Sequence, residues 1–247
     1  MAKRSFLSDP ASDGVTVNGG SNGNVSGSRT LIERAYAQLR DDIVEGRLTP
    51  GDKLRVEHLK DRYAVSAGTL REAITRLVSD ALVLAEGQRG FRVAPITIED
   101  LEDLTRLRVH IEIDALRLSI RHGDAAWRAR LQAVFDELSA VEQPIEPAHR
   151  RHWESLNNRF HETLVSGCNS AWTNKVLRQL AQHGERYRRY AISLPDTGRD
   201  VHAEHRQIFE LAMSGQEARA ALALEAHIRA TPDLLRRRHR EGLVTGF

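Results

Sequence analysis

Cysteine is all but missing from this chain of 247 residues. Cys168 stands alone, so no intramolecular disulfide can form, which fits a reducing cytoplasm. Aromatic residues are scarce at 5%, while Leu, Ala, Arg and Glu are plentiful, a balance that favours helices over sheets. No apolar run is long enough to cross a membrane, and the N-terminus lacks the charged-then-apolar layout of a secretion signal. A cytoplasmic, soluble protein without membrane contact is therefore expected. Neither sign of charge dominates. The net charge of +2 does not demand a polyanionic partner, but it leaves room for a local basic face. A Gly-rich nucleotide loop, a GxSxG elbow and an HExxH motif are all lacking.

What is present is ordinary globular material, 40% hydrophobic and 28% charged, enough for one large domain or two smaller ones. Residues 8–28 are rich in Gly, Ser and Asn, and residues 1–28 read as a disordered tail, with order beginning near Thr30. Leu31, Ala35, Leu39 and Ile43 follow at four-residue steps and predict a helix that Gly46 ends, before a turn at Thr49 to Asp52. A short helix with Val56, Leu59 and Tyr63 inward leads through Ala64–Val65 into a third helix. Ser66 is its N-cap, and Leu70, Ala73, Ile74 and Leu77 form its inner face. Val83 to Ala85 and Phe91 to Ala94 read as strands of a hairpin around Gly87–Gly90.

Three helices and a hairpin over residues 29–95 suggest a winged helix-turn-helix that binds double-stranded DNA. On the outer face of the third helix, Gly68 lets the backbone approach a duplex. Ser66 and Thr69 can meet phosphates, while Arg71 and Thr75 stand further along. Arg89 and Gly90 at the hairpin tip would reach the backbone or minor groove. The plainer alternative is a small helical subdomain with a solvated Arg-Glu face.

From Thr97 on, the pattern is helical only, over residues 97–240. Thr97 and Asp100 resemble a capping box, and the helix beyond carries two apolar stripes, as in a bundle. Further helices are expected at about 124–142, 148–167, 170–190, 199–214 and 216–237, broken by Gly123, Pro144, Gly167, Pro195 and Gly215. The fold class is thus mainly α, a winged helix-turn-helix followed by an all-α bundle. Asn157 and His161 share a helical face, and His205 and His227 lie on two later helices. Three such imidazoles could converge on a metal, with His202 competing for the place of His205. Equally, they could be scattered structural histidines among the 11 of the chain. Arg108 lies on an apolar stripe. It is either half of a salt bridge, with Glu112 or another helix, or a clamp for a carboxylate. Arg186, Arg188 and Arg189 read as a solvated or dimer-facing cluster, and Arg236 to Arg240 as a frayed helix end.

Several of these pieces occur in a telling order. Pro50-Gly51-Asp52-Lys53-Leu54, Tyr63-Ala64-Val65-Ser66, Leu70-Arg71-Glu72-Ala73, Arg76-Leu77 and Gly90-Phe91-Arg92-Val93 resemble the signature of the GntR family of bacterial transcription regulators. Leu107-Arg108, Phe160-His161, Glu204-His205-Arg206 and Ala226-His227 resemble the FCD-type effector domain of its FadR-like subfamily. The resemblance implies a homodimer that binds a palindromic operator, most simply as a repressor, under control of a small carboxylate effector. It also implies a divalent metal ion (zinc, nickel or manganese) held by residues 157, 161, 205 and 227, and it favours the clamp reading of Arg108. There are two departures. Ala67 and Gly68 stand where the family often has Arg and Thr, and Asn157 replaces the usual Asp. A metal-dependent enzyme built on the bundle is the alternative, and a purely structural metal is compatible with the regulator.

Overall fold

Helix α1 (Asn22–Val44) opens the described part of the computed structural model, which comprises residues 22–194 and 198–243, with side chains from Thr30 on. Residues 1–21 of the expected tail, and the break at Pro195, lie outside the described residues. The remainder of that tail, residues 22–28, is helical instead. A helix costs most at its first turn, so a segment nucleated by packed residues downstream extends at one hydrogen bond per residue fixed. The buried stripe also differs at its first member: Ile32 is buried and Leu31 is exposed. Four-residue steps drift by about 40° each, so a position three steps before Ile43 has left its face, whereas one eleven residues away returns to it.

Strand β1 (Lys53–Leu54) precedes α2 (Val56–Arg62) and α3 (Ala67–Ser79). Ala64, between the two helices, takes a left-handed φ of 51°, which turns the chain sharply without a glycine. Ser66 caps α3 by accepting the Thr69 N–H at 3.1 Å. Leu70, Ala73, Ile74 and Leu77 are completely buried, as their spacing predicts. Strands β2 (Val83–Ala85) and β3 (Phe91–Val93) form the hairpin. The sheet has a third member, just after the expected turn at Thr49 to Asp52. β1 pairs antiparallel to β3, Lys53 against Arg92 and Leu54 against Phe91. Two residues are too few to show a period.

The bundle consists of α4 (Ile98–His122), α5 (Ala125–Ser139), α6 (Arg150–Val165), α7 (Ala171–Ser193), α8 (Val201–Met213) and α9 (Glu217–Arg240). Thr97 accepts the Asp100 N–H at 3.0 Å, so the expected cap starts α4. The core of the bundle includes Trp127, Phe160, Ile208 and Leu224 and is separate from the core of the winged unit. The run Arg236 to Arg240 is helical rather than frayed, with Arg236 bound to Glu102 at 3.0 Å on α4. Between α6 and α7, a 3-10 turn, Ser166–Cys168, buries Cys168. A side chain at Gly167 would come within 3.0 Å of the Ser119 backbone, so α4 and this turn touch main chain to main chain.

The two units meet through charges on α1 and the turn after it, and on α6 and α7. Arg40 pairs with Glu185. Arg151 reaches Glu45 at 2.5 Å and Asp41 at 3.3 Å, and Arg189 reaches Glu185 at 3.0 Å and Glu45 at 3.5 Å. Arg186 donates to the Ala94 carbonyl at 2.9 Å in the segment joining the units.

Inside the winged unit, buried Asp42 accepts from Tyr63 and Arg47 at 2.6 Å and from Arg62 at 2.7 Å. Burial pushes its carboxyl up, but the Tyr63 and Arg47 hydrogen bonds and the charges of Arg47 and Arg62 outweigh this and hold it below the usual carboxylate range. A depressed carboxyl pKa contributes stability that is present above the unfolded value of about 3.9 and lost as pH falls through the folded value. Asp42→Asn should therefore destabilise the winged unit at pH 7 by about 1–3 kcal/mol and flatten its loss of stability below about pH 4. Urea unfolding at both pH values, followed by a probe in the winged unit, checks this. Equal destabilisation at pH 7 and pH 3 would contradict it.

Candidate functional site

The entry of α3 stands clear of the core. Ser66, Gly68, Arg71, Thr75 and Arg89 are exposed, and Thr69 and Gly90 are half-exposed. Around Gly68 a Cβ would find only Ser66 Oγ, at 3.8 Å, so the fold itself does not require glycine there. The Ser66 and Thr69 hydroxyls lie 2.9 Å apart, and Thr75 donates to the Arg71 carbonyl at 2.8 Å. These residues share one surface at the helix N-terminus, where partial positive charge favours phosphate. Arg89 and Gly90 end a 3-10 turn at the hairpin tip, with Gly90 at φ 94°.

The second site is a cavity of about 290 Å³ inside the bundle, lined among others by Arg108, Asn157, His161, Arg188 and His227. His161 from α6, His205 from α8 and His227 from α9 offer ring nitrogens that lie within 4.8 Å of one another. Their ring centroids are 4.6 to 5.4 Å apart. Carboxylates set how two of these rings present themselves. Glu142 accepts from His205 Nδ1 at 2.7 Å, and Glu204 accepts from His227 Nδ1 at 2.8 Å. A carboxylate can only accept, so each Nδ1 carries the proton and each Nε2 offers its lone pair. Among the described residues, His205 Nε2 and His161 Nδ1 are buried without a hydrogen-bond partner. His202, the competitor, points elsewhere, between Glu142 at 3.3 Å and Arg206 at 2.5 Å.

Burial is the main cause that lowers His161 and His227 well below the usual imidazole range. The neighbouring imidazoles and the charges of Arg108 and Arg188 add to it. Both rings are therefore neutral near pH 7, the form that binds a metal. Burial pushes Glu142 up, but hydrogen bonds from His205, Trp153 and His202 overcome it and hold it ionised. Three clustered imidazoles, two of them with orphaned nitrogens, and a buried Asn157 amide lining the cavity fit a divalent cation.

Arg108 fulfils the salt-bridge alternative, with its Nε 2.7 Å from Glu112, and also lines the cavity. Arg188, by contrast, is neither solvated nor dimer-facing. It is buried against Glu154 at 2.5 Å, Asn158 at 3.1 Å and the Ala181 carbonyl at 3.0 Å. Arg186 and Arg189 are likewise drawn in, to the linker and to Glu185. The reason is that Glu154 of α6, Glu185 of α7 and Glu45 just after α1 meet these arginines, and burial next to a carboxylate favours a paired guanidinium. A Cβ at Gly184 would lie 2.9 Å from Arg188 Nη1 and 3.4 Å from Arg108 Nη1, so the missing side chain is the space both guanidiniums share. The spacing of Leu177, Ala181, Gly184 and Arg188 on one face of α7 carried the signal for Arg188. Nothing in the sequence marked Glu142, which comes from the loop after α5.

Two stretches match known families. Residues 31–93 match the family described as "Bacterial regulatory proteins, gntR family", and residues 103–230 match the FCD domain. The chain is 40% identical over 215 residues to an uncharacterized HTH-type transcriptional regulator, BphR, of Paraburkholderia xenovorans (strain LB400), covering 86% of this chain and 88% of that one. It is 30% identical over 198 residues to the HTH-type transcriptional repressor GlaR of Escherichia coli (strain K12), covering 78% and 90%. The solved structure of E. coli McbR/YncC shares the fold, with a TM-score of 0.66 at 18% identity over 85% of this chain and 98% of that one. These relatives are named as regulators, which removes the alternative of an enzyme built on the bundle. The chain belongs to the GntR family of bacterial transcription regulators, joining a winged helix-turn-helix DNA-binding unit to an FCD effector domain.

Proposed function

We propose that this regulator is a cytoplasmic homodimer that represses transcription from a roughly palindromic operator and responds to a small organic acid bound in the helical domain. Each protomer offers one recognition helix, and a two-fold pair would place two of them in successive major grooves, about 34 Å apart. Ser66, Thr69, Arg89 and Gly90 would hold phosphates, while Arg71 and Thr75 would reach base edges past the open backbone at Gly68. The repressor sense follows GlaR, whose name carries it.

The observation that carries the effector reading is a cluster of three imidazoles, two of which, His161 and His227, line one cavity with the guanidiniums of Arg108 and Arg188. His161, His205, His227 and Asn157 would hold zinc, nickel or manganese. When bound, the ion supplies an electrophilic position for carboxylate oxygens. Asn157 contributes a neutral carbonyl oxygen in place of an anion, so the site keeps more positive charge and favours an anionic ligand. Arg108, held by Glu112, would orient the far end of the acid, with Arg188 beside it.

Elemental analysis of untagged protein purified without chelator should give close to one divalent ion per protomer. His161→Ala or His227→Ala should lose it, and Asn157→Asp should bind it more tightly. Protein that takes up no zinc, nickel or manganese on incubation would remove the metal from this proposal. Binding to DNA from the neighbourhood of the gene should weaken with salt. Arg71→Ala should cost about 1–3 kcal/mol of operator affinity in a fluorescence anisotropy titration. Gly68→Ala should leave the melting temperature unchanged or slightly raised, because helix propensity improves by up to about 1 kcal/mol, and yet weaken operator binding. Unchanged affinity would show that the duplex does not approach the backbone there. Citrate, as a chelating carboxylate, should shift operator affinity of the wild type but not of His205→Ala.

A further inference from the structure

A second cavity, a cleft of about 780 Å³, lies where the winged unit meets the bundle. One wall is α1 and the turn after it, from Ile43 to Pro50, and the other is the start of α6 and the end of α7. Ile43, Val44, Ile96, Trp153 and Ile192 give it apolar surface, and four arginines line it. Two of them, Arg151 and Arg189, are already matched, because with Arg40 they share Asp41, Glu45 and Glu185, and Glu45 also takes Arg47.

The other two are not matched. Arg186 is 6% exposed, and its only hydrogen bond among the described residues is to the Ala94 carbonyl, with Nε left without a partner. Among the described residues Arg150 reaches only the Ile192 carbonyl, at 3.5 Å, and its Nε is also buried without a partner. Neither guanidinium forms an ion pair among the described residues. A buried guanidinium without a contacting carboxylate is expensive, and burial lowers the Arg186 pKa even against the more distant charge of Asp100. The start of α6 adds to the same field. Its first turn reads Arg150-Arg151-His152, without an acidic residue or a side-chain cap, against the positive end of the helix dipole.

We propose that this cleft is a second ligand site, distinct from the imidazole cavity, which takes a small organic anion with a phosphate or carboxylate head on Arg150 and Arg186 and an apolar body against Ile43, Val44 and Ile96. Such a ligand touches both units at once, so it favours whichever arrangement of winged helix and bundle keeps the cleft closed around it. The proposal does not rest on the metal or on the effector assigned to the imidazole cavity.

Calorimetric titration of the full chain with phenyl phosphate and with benzoate tests it. Each probe is run on the wild type and on His161→Ala, which disables the imidazole cavity. Binding of at least one probe should persist in His161→Ala and fall about tenfold or more with Arg150→Gln or Arg186→Gln. The stronger of the two probes tells phosphoryl from carboxylate recognition. Arg150 sits half-buried, so Arg150→Gln decides the matter if Arg186→Gln fails to fold. The same probe should raise the melting temperature of the wild type and not of Arg150→Gln. The proposal is overturned if neither probe binds, if binding survives Arg150→Gln, or if it disappears with His161→Ala alone.

Discussion

Most of the charge at the centre of this helical bundle is matched within the bundle, and the rest of the structure depends on how that is done. Glu142 and Glu204 each hold a histidine by Nδ1, and Glu112 and Glu154 each hold an arginine. Carboxylates, imidazoles and guanidiniums thus form a polar centre surrounded by Trp153, Leu177 and Ile228. Polar groups at such depth favour a single arrangement, because a misplaced partner leaves an ion in a low dielectric. Helices α6, α7, α8 and α9 are therefore held in register by the same atoms that make the cavity useful.

Helix α7 connects this centre to the DNA-binding unit. Arg188 faces the cavity, whereas Glu185 and Arg189 face α1 and Arg186 faces the linker at Ala94. These residues are neighbours in sequence, so a rotation of α7 that improves one set of contacts alters the others. Ion pairs suit this role because several geometries of similar energy are open to them, while the apolar cores on either side repack in all-or-none fashion.

Much of this was legible in the sequence. The buried face of α3, its Ser66 cap, the Thr97 cap and the helices of the bundle follow from periodicity and local hydrogen bonding. The convergence of His161, His205 and His227 was legible as well, through their helical faces and the family resemblance. What escaped is what depends on distant partners. Strand β1 exists only because β3 lies beside it, and Glu142 approaches His205 from a loop with no pattern of its own. The arginines of α7 look like a surface cluster until Glu154 of α6 and Glu45, after α1, are in place. Periodicity tells which way a side chain points, but a charged one settles by what it meets.

Cys168 gives the molecule a chemical clock. It is the one thiol in the chain, it is buried in the turn after α6, and its Sγ lies 3.8 Å from Asn174, which lines the imidazole cavity. A thiol reagent can reach it only when that corner of the bundle opens. The rate of modification then measures how often the native state breathes there, residue-specifically and without any engineered label. A ligand in the cavity that holds Asn174 in place would slow the reaction, so the winged unit's response to a ligand could be compared directly with the tightening of the bundle.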